Sequence, residues 1–180
     1  SFLATRARLG YDSAFGKASD IQTSAQDLGM GRLFWEARPN STWTSRASVS
    51  EGTDYRTDKL NGSFNNSSNT RTRQFVWDNL LRIADGHEGS VGLEQMRQGI
   101  ANSGFAVQNR QRDVGVLRLG YLGRLGAHSL QVNLRTEDYS DFGRADTHFV
   151  GYGFDITEAW KVTASASTAF RAPTFTDLYG

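Results

Sequence analysis

Apolar side chains recur at every second position in nine separate segments of this chain, and that single regularity restricts the fold more than anything else in the sequence. The clearest case runs from Ser129 to Glu137, where Leu130, Val132 and Leu134 alternate with polar residues at every odd position. Successive side chains on a strand point to opposite faces, so this segment is a strand with one apolar and one wet face. Trp160 to Phe170 repeats the pattern, as does 149–156, where Val150, Tyr152, Phe154 and Ile156 oppose Phe149, Gly151, Gly153 and Asp155. Leu117, Leu119, Tyr121 and Leu125 form a fourth set. Earlier sets are Leu3, Ala7, Leu9 and Tyr11; Leu33 and Trp35; Trp43, Ala47 and Val49; Phe75, Trp77, Leu81 and Ile83; and Val91 with Leu93. The prediction is an all-β antiparallel up-and-down meander of about eight or nine strands.

The connections add an orientation. Short links fall at 38–42, 84–88, 124–127 and 157–159, and longer polar links at about 13–30, 56–71, 98–112 and 139–146. In a meander, alternate connections lie at opposite ends, so the long links gather at one end and the short turns at the other. Short turns at one rim and longer loops at the other are the pattern of an outer-membrane barrel. No apolar run reaches the roughly 18 residues of a spanning helix, whereas a spanning strand needs only about 10 with alternate ones apolar. A mean hydropathy of -0.51 is consistent with strands that are wet on one face. Trp43, Trp160 and Phe170 lie near strand ends, where barrels carry aromatic girdles. A soluble β-sandwich shares the strand pattern, and a self-contained eight-stranded barrel with a structural or adhesive role shares the length.

Chemistry is sparse. The formal charge is +1, which gives no overall field to recruit nucleic acid. There is no cysteine, hence no disulfide and no thiolate metal site. His87, His128 and His148 have no metal-ligand spacing, and no phosphate-binding glycine loop occurs. No catalytic set and no metal site is assigned, and the chain is read as not an enzyme. Glu137 to Asp141 could offer oxygens to a hard cation but lacks a calcium-loop spacing.

The carboxyl-terminal segment, Phe170-Arg171-Ala172-Pro173 continuing to Leu178-Tyr179-Gly180, resembles a signature of TonB-dependent outer-membrane receptors. Pro173 lacks an N–H and so stops a strand ladder, turning a membrane strand into an extracellular loop. Phe142-Gly143-Arg144 and Gly151-Tyr152-Gly153-Phe154 are most similar to cobalamin receptors of that family. The resemblance implies a part, residues 1–180, of a 22-stranded barrel without the plug domain, in the outer membrane of a Gram-negative bacterium. It implies active uptake of a bulky nutrient, vitamin B12 (cobalamin) first and a siderophore as the alternative. The implied partners are that ligand, outer-membrane lipid, and TonB through regions outside this segment. No cofactor is implied, with calcium left open for a full receptor. Within the loop 138–144, Tyr139 and Phe142 are the candidates to pack against a corrin, and Asp138 and Asp141 to accept hydrogen bonds from it.

Overall fold

The computed structural model describes residues 1–12, 17, 19–104 and 109–179. Nine strands follow one another: β1 (Phe2–Asp12), β2 (Ile21–Asn40), β3 (Trp43–Leu60), β4 (Ser63–Ala84), β5 (His87–Asn102), β6 (Asn109–Leu125), β7 (His128–Tyr139), β8 (Gly143–Asp155) and β9 (Lys161–Ser167). A short helix, α1 (Phe175–Tyr179), closes the described chain. Every strand pairs antiparallel with its sequence neighbours, giving one sheet in the order β1 to β9. The expected meander is therefore the observed one.

Pairing register turns the separate apolar sets into one surface. Trp35 lies opposite Ala47, which lies opposite Trp77, and the row continues through Leu93 and Leu117. Directly opposed residues share a face, so these side chains line one side of the sheet. Below them run Val91, Leu119 and Leu134, and then Tyr121, Val132 and Val150. Most remain exposed, including Trp35 at 58% and Leu119 at 42%. The opposite face carries Glu36, Arg46, Asp78, Arg118 and Arg135 along a single row. An apolar face this wide needs a nonaqueous neighbour, while the charged face needs water. The two are called the outward and the inward face below.

The upper limit of the apolar set fixes the strand tilt. On β2, β3 and β4 it is the row Leu33, Val49 and Phe75; on β5 and β6 it is Leu93 and Leu117, one row lower. On β7 it drops to Leu134 and on β8 to Val150. Three rows of about 6.6 Å are lost across six strand spacings of about 4.8 Å, a slope of about 35°. Barrel strands tilt by about 35–45° against the membrane normal, so this edge is level when the strands are inclined as in a barrel. At that tilt, the run from Leu117 to Leu125 covers about 22 Å along the normal, close to the apolar band of about 25 Å.

The long links differ from expectation. β3 runs to Leu60 and β4 starts at Ser63, so most of the 56–71 link is ladder, and β2 likewise takes up most of 13–30. Residues 13–16, 18 and 105–108, within two of those links, lie outside the described residues. Beyond the apolar edge hydropathy no longer alternates, and the strand becomes invisible to that test while its backbone bonds continue. Polar pairs take over across the strands: Gln26 donates to both Asp54 carboxylate oxygens at 2.9 and 3.0 Å, and Arg6 Nε donates to Asp27 at 2.5 Å. The turn between β3 and β4 is Asn61-Gly62, with φ of 51° and 81°. These are the two positive values of a type I′ hairpin, which Asn-Gly favours. The Asn61 carboxamide also accepts from Ile21 N at 2.9 Å and donates to Asp20 at 2.9 Å, fastening the start of β2 to this turn.

β1 differs in phase. Leu3 pairs with Met30 and Ala7 with Gln26, so its apolar side faces inward while Arg6 and Arg8 face outward. The whole strand lies above the apolar edge, where the outward face is no longer the apolar one.

Candidate functional site

The only tightly packed region among the described residues lies on the inward face at the loop end. Val114, Val116, Tyr139 and Ala145 are buried there, with Met96, Phe142 and Ala172 packed against them. Their cover is the segment after β9. Thr168 N donates to His148 O at 2.9 Å, the last rung before the chain leaves the sheet. The strand ends at Ser167 rather than reaching Phe170, and Phe170 is no girdle residue. Its ring packs against Tyr139 at 6.1 Å and Phe142 at 6.0 Å, and those two rings stack at 4.3 Å. Pro173, which cannot continue the ladder, precedes a turn in which Thr174 caps α1. Thr174 Oγ1 accepts from Asp177 N at 3.1 Å while the Asp177 carboxylate accepts from Thr174 N at 2.8 Å. This is a reciprocal capping box.

Arg112 holds the assembly together. Its side chain is 4% exposed and that of Asp141 is 8% exposed. Arg112 Nε donates to the two Asp141 oxygens at 2.9 and 2.8 Å. Its Nη2, also 2.8 Å from Oδ2, meets the carboxylate as an ion pair without hydrogen-bond geometry. The guanidinium plane lies 4.9 Å from the Phe142 ring and 4.8 Å from Phe175, and Arg110 sits 4.1 Å over Tyr179. Such cation–π contacts contribute most when desolvated. Burial, aided by Glu137, pushes the Tyr139 phenol above its ordinary value and keeps it neutral. The motif residues thus form a latch folded over the inward wall; Arg171 is exposed, Leu178 is 37% exposed, and Gly180 lies outside the described residues.

The four loop candidates separate. Tyr139, Asp141 and Phe142 belong to the latch. Asp138 pairs in register with Gly115 and Arg144, which places it on the outward face. Sequence reading missed Arg112, because its link to Asp141 spans 29 residues and depends on register. It also missed Thr174-x-x-Asp177, although that spacing is a readable helix start.

Below the latch the inward wall is a lattice of charges. Arg46 donates to Glu36 at 2.6 Å, Gln74 to Glu94 at 2.6 Å, and Arg118 to Asp78 at 3.0 Å. A hollow of about 480 Å³ opens among Arg46, Asp78, Arg118, Asn133 and Arg135. Above the apolar edge the same face becomes mixed: Leu3, Leu28 and Met30 on one side, Met96 and Ile100 on the other, with Ser50, Thr70, Thr72, Gln74 and Gln98 between. This broad amphipathic surface suits a large ligand better than a small reacting group. No three His, Cys, Asp or Glu residues converge among the described residues. His87 and His128 each bond a tyrosine hydroxyl on the outward face, at 2.7 and 2.5 Å.

Comparison with known proteins agrees with this arrangement. Residues 2–180 match the family model described as TonB dependent receptor-like, beta-barrel. The chain is 33% identical over 124 residues to the vitamin B12 transporter BtuB of Photobacterium profundum, covering 66% of this chain and 20% of that protein. It superposes on the siderophore receptor PirA from Pseudomonas aeruginosa with a TM-score of 0.75 and 16% identity, over 97% of this chain and 34% of that one. The chain thus spans about a fifth of the curated relative and about a third of the solved structure. With a match along nearly its whole length and a nine-stranded wall of the right tilt, the chain belongs to the TonB-dependent receptor β-barrel family, a family of receptors and not of enzymes.

Proposed function

We propose that these nine strands are part of the wall of a receptor in the outer membrane of a Gram-negative bacterium, which takes up cobalamin using energy delivered through TonB. TonB engages parts of the receptor other than this wall. The observation that carries the ligand is the 33% identity to a vitamin B12 transporter, since likeness to the siderophore receptor at 16% speaks to fold alone. The inward wall supports it: a corrin is broad, apolar over its ring and fringed with amides, and the surface above the lipid band alternates apolar patches with amide and hydroxyl groups. In this reading Phe142 offers its remaining exposed edge to the ligand, with Tyr139 and Asp141 fixing the ring in place.

The test is binding of cyanocobalamin to the full-length receptor in detergent, followed by calorimetry. Phe142→Ala should weaken binding by about tenfold, the loss of one aromatic contact at about 1.5 kcal/mol. Binding of a ferric siderophore with no binding of cyanocobalamin would show that the ligand assignment is wrong.

A further inference from the structure

We propose that Asn61 is a self-modifying residue: it loses its side-chain amide to the Gly62 nitrogen and to water, and the carboxylate that results unfastens the start of β2 from the turn between β3 and β4. The inference needs neither the ligand nor the membrane reading. Of the chain's asparagines, Asn61 alone is followed by glycine. Both residues are exposed, and no atom lies within 4 Å of where a Gly62 side chain would begin. Attack by a backbone nitrogen on the carboxamide of the residue before it is hindered by the attacker's own side chain and by any hydrogen bond that ties up the nitrogen. Gly62 has no side chain, and its N–H has no acceptor among the described residues.

Neighbouring groups favour the reaction. Ile21 N donates to Asn61 Oδ1 at 2.9 Å, which polarises the carbonyl and stabilises the oxyanion formed as Gly62 N adds. Asn61 Nδ2 donates to Asp20 Oδ1 at 2.9 Å, so a carboxylate stands beside the departing nitrogen as a proton carrier. A bond forms between Gly62 N and Asn61 Cγ, the Cγ–Nδ2 bond breaks, and the proton lost by Gly62 leaves with that nitrogen as ammonia. Water then opens the cyclic imide at either carbonyl, giving aspartate or the isomer whose main chain runs through the side-chain carbon. Nothing is oxidised or reduced, and water is the only co-reactant. Asn40 is the contrast within the same sheet. Its carboxamide also accepts, from Thr42 N at 3.0 Å and Thr42 Oγ1 at 2.9 Å, but it precedes Ser41, and no carboxylate among the described residues accepts from its nitrogen.

The consequence is carried by what Asn61 holds. Its backbone N donates to Ile21 O at 2.8 Å, and its side chain adds the two bonds to Ile21 and Asp20. The Asp20 carboxyl is held below its ordinary value first by the Asn61 amide and then by the Lys17 N–H. A carboxylate in place of the amide can still accept from Ile21, but it sets a like charge against Asp20 at hydrogen-bond distance where a donor stood. The isomer also adds a backbone atom to a two-residue turn, and the paired φ values of 51° and 81° no longer close it.

The experiment ages the full-length receptor in detergent in a mildly alkaline buffer, maps its asparagine-containing peptides by mass spectrometry, and follows amide exchange. Asn61 should convert ahead of Asn40, with isoaspartate among the products. Exchange of the Ile21 to Ala25 amides in the converted fraction should be about tenfold faster, the loss of one hydrogen bond to a charged partner, while β7 and β8 stay protected. Asn61→Asp should reproduce the faster exchange without ageing, and combining it with Asp20→Asn, which exchanges donor and acceptor, should restore the slow exchange. Conversion in the denatured chain but not in the folded one would mean that the side-chain bonds protect the amide, and overturns the proposal. Conversion with unchanged exchange, or no restoration by the double variant, overturns it equally. If the substituted proteins do not fold, ageing of the unsubstituted receptor decides alone.

Discussion

Replacing Leu130 with arginine is the sharpest challenge to the assignment of faces. Leu130 lies two rows below Leu134, the apolar limit of β7, and pairs with Gly123 and Tyr152. Four residues at about 3.3 Å, corrected for the tilt, put it about 11 Å below the edge of a band about 25 Å tall, near the bilayer midplane. An arginine at that depth on a barrel exterior costs about 2–4 kcal/mol. Gln131, the next residue, sits in the inward row with Leu122 and Gly151, so Gln131→Arg keeps its charge in water and should change stability by less than about 0.5 kcal/mol. Equilibrium urea unfolding of the full-length receptor from lipid vesicles, followed by tryptophan fluorescence, measures both. A difference of at least about 2 kcal/mol between neighbouring positions is expected. Equal effects, or a larger effect at Gln131, would refute both the facing and the membrane reading.

Three further outcomes follow from the latch and the extensions. Asp141→Ala leaves Arg112 buried without its anion, which should cost about 3–5 kcal/mol locally and raise amide exchange across Phe170 to Tyr179; unchanged exchange there would mean that the latch does not depend on the pair. Gly62→Ala places a Cβ at φ of 81°, should cost about 1–2 kcal/mol, and should loosen exchange in Thr57 to Asn66 while β7 and β8 stay protected. The Asp177 carboxyl is held below its ordinary value by hydrogen bonds from Thr174, first the backbone N–H and then the side chain, so the ionised form is the one the folded cap prefers. That contribution is complete above the ordinary carboxyl range near about pH 4 and is lost as pH falls through the lower folded value. Exchange of the α1 amides should therefore accelerate in acid, and Asp177→Asn should flatten that dependence.

How much of this was readable in the residues depends on what each segment touches. β7, β8 and β9 were legible because one face is apolar and the other polar along their length, so hydropathy alternates along each strand. The upper halves of β2, β3 and β4 carry no such signal, since both of their faces are largely polar and are joined by backbone bonds and polar pairs such as Gln26 with Asp54. Leu3, Ala7 and Leu9 alternate correctly yet face the other way, because a period shows that two faces differ and not which one joins the apolar surface of the sheet. Asn61-Gly62 is a readable hairpin signal hidden inside a long polar stretch that otherwise reads as loop. The latch was legible only as a motif: Pro173 announced the end of the ladder, but the Arg112 and Asp141 pair requires the register of β6 against β7, and register comes from the whole sheet.

The hairpin at Asn61-Gly62 also sets a rule for how such a receptor can vary in reach. A flexible loop can gain or lose any number of residues, but a two-residue turn closes on a hydrogen-bonded pair, and such pairs alternate along an antiparallel ladder, so the ladder grows in steps of two residues on each strand, about 6.6 Å of height at a time. Each such step leaves every side chain on the face it already had, because facing and pair type share the same two-residue period. An unmatched residue on one strand instead becomes a bulge, as between Asp58 and Lys59 in the pairing of β3 with β4. Height at the mouth is consequently quantised, and a variant that reaches further by one step keeps the facing of the rim it already has.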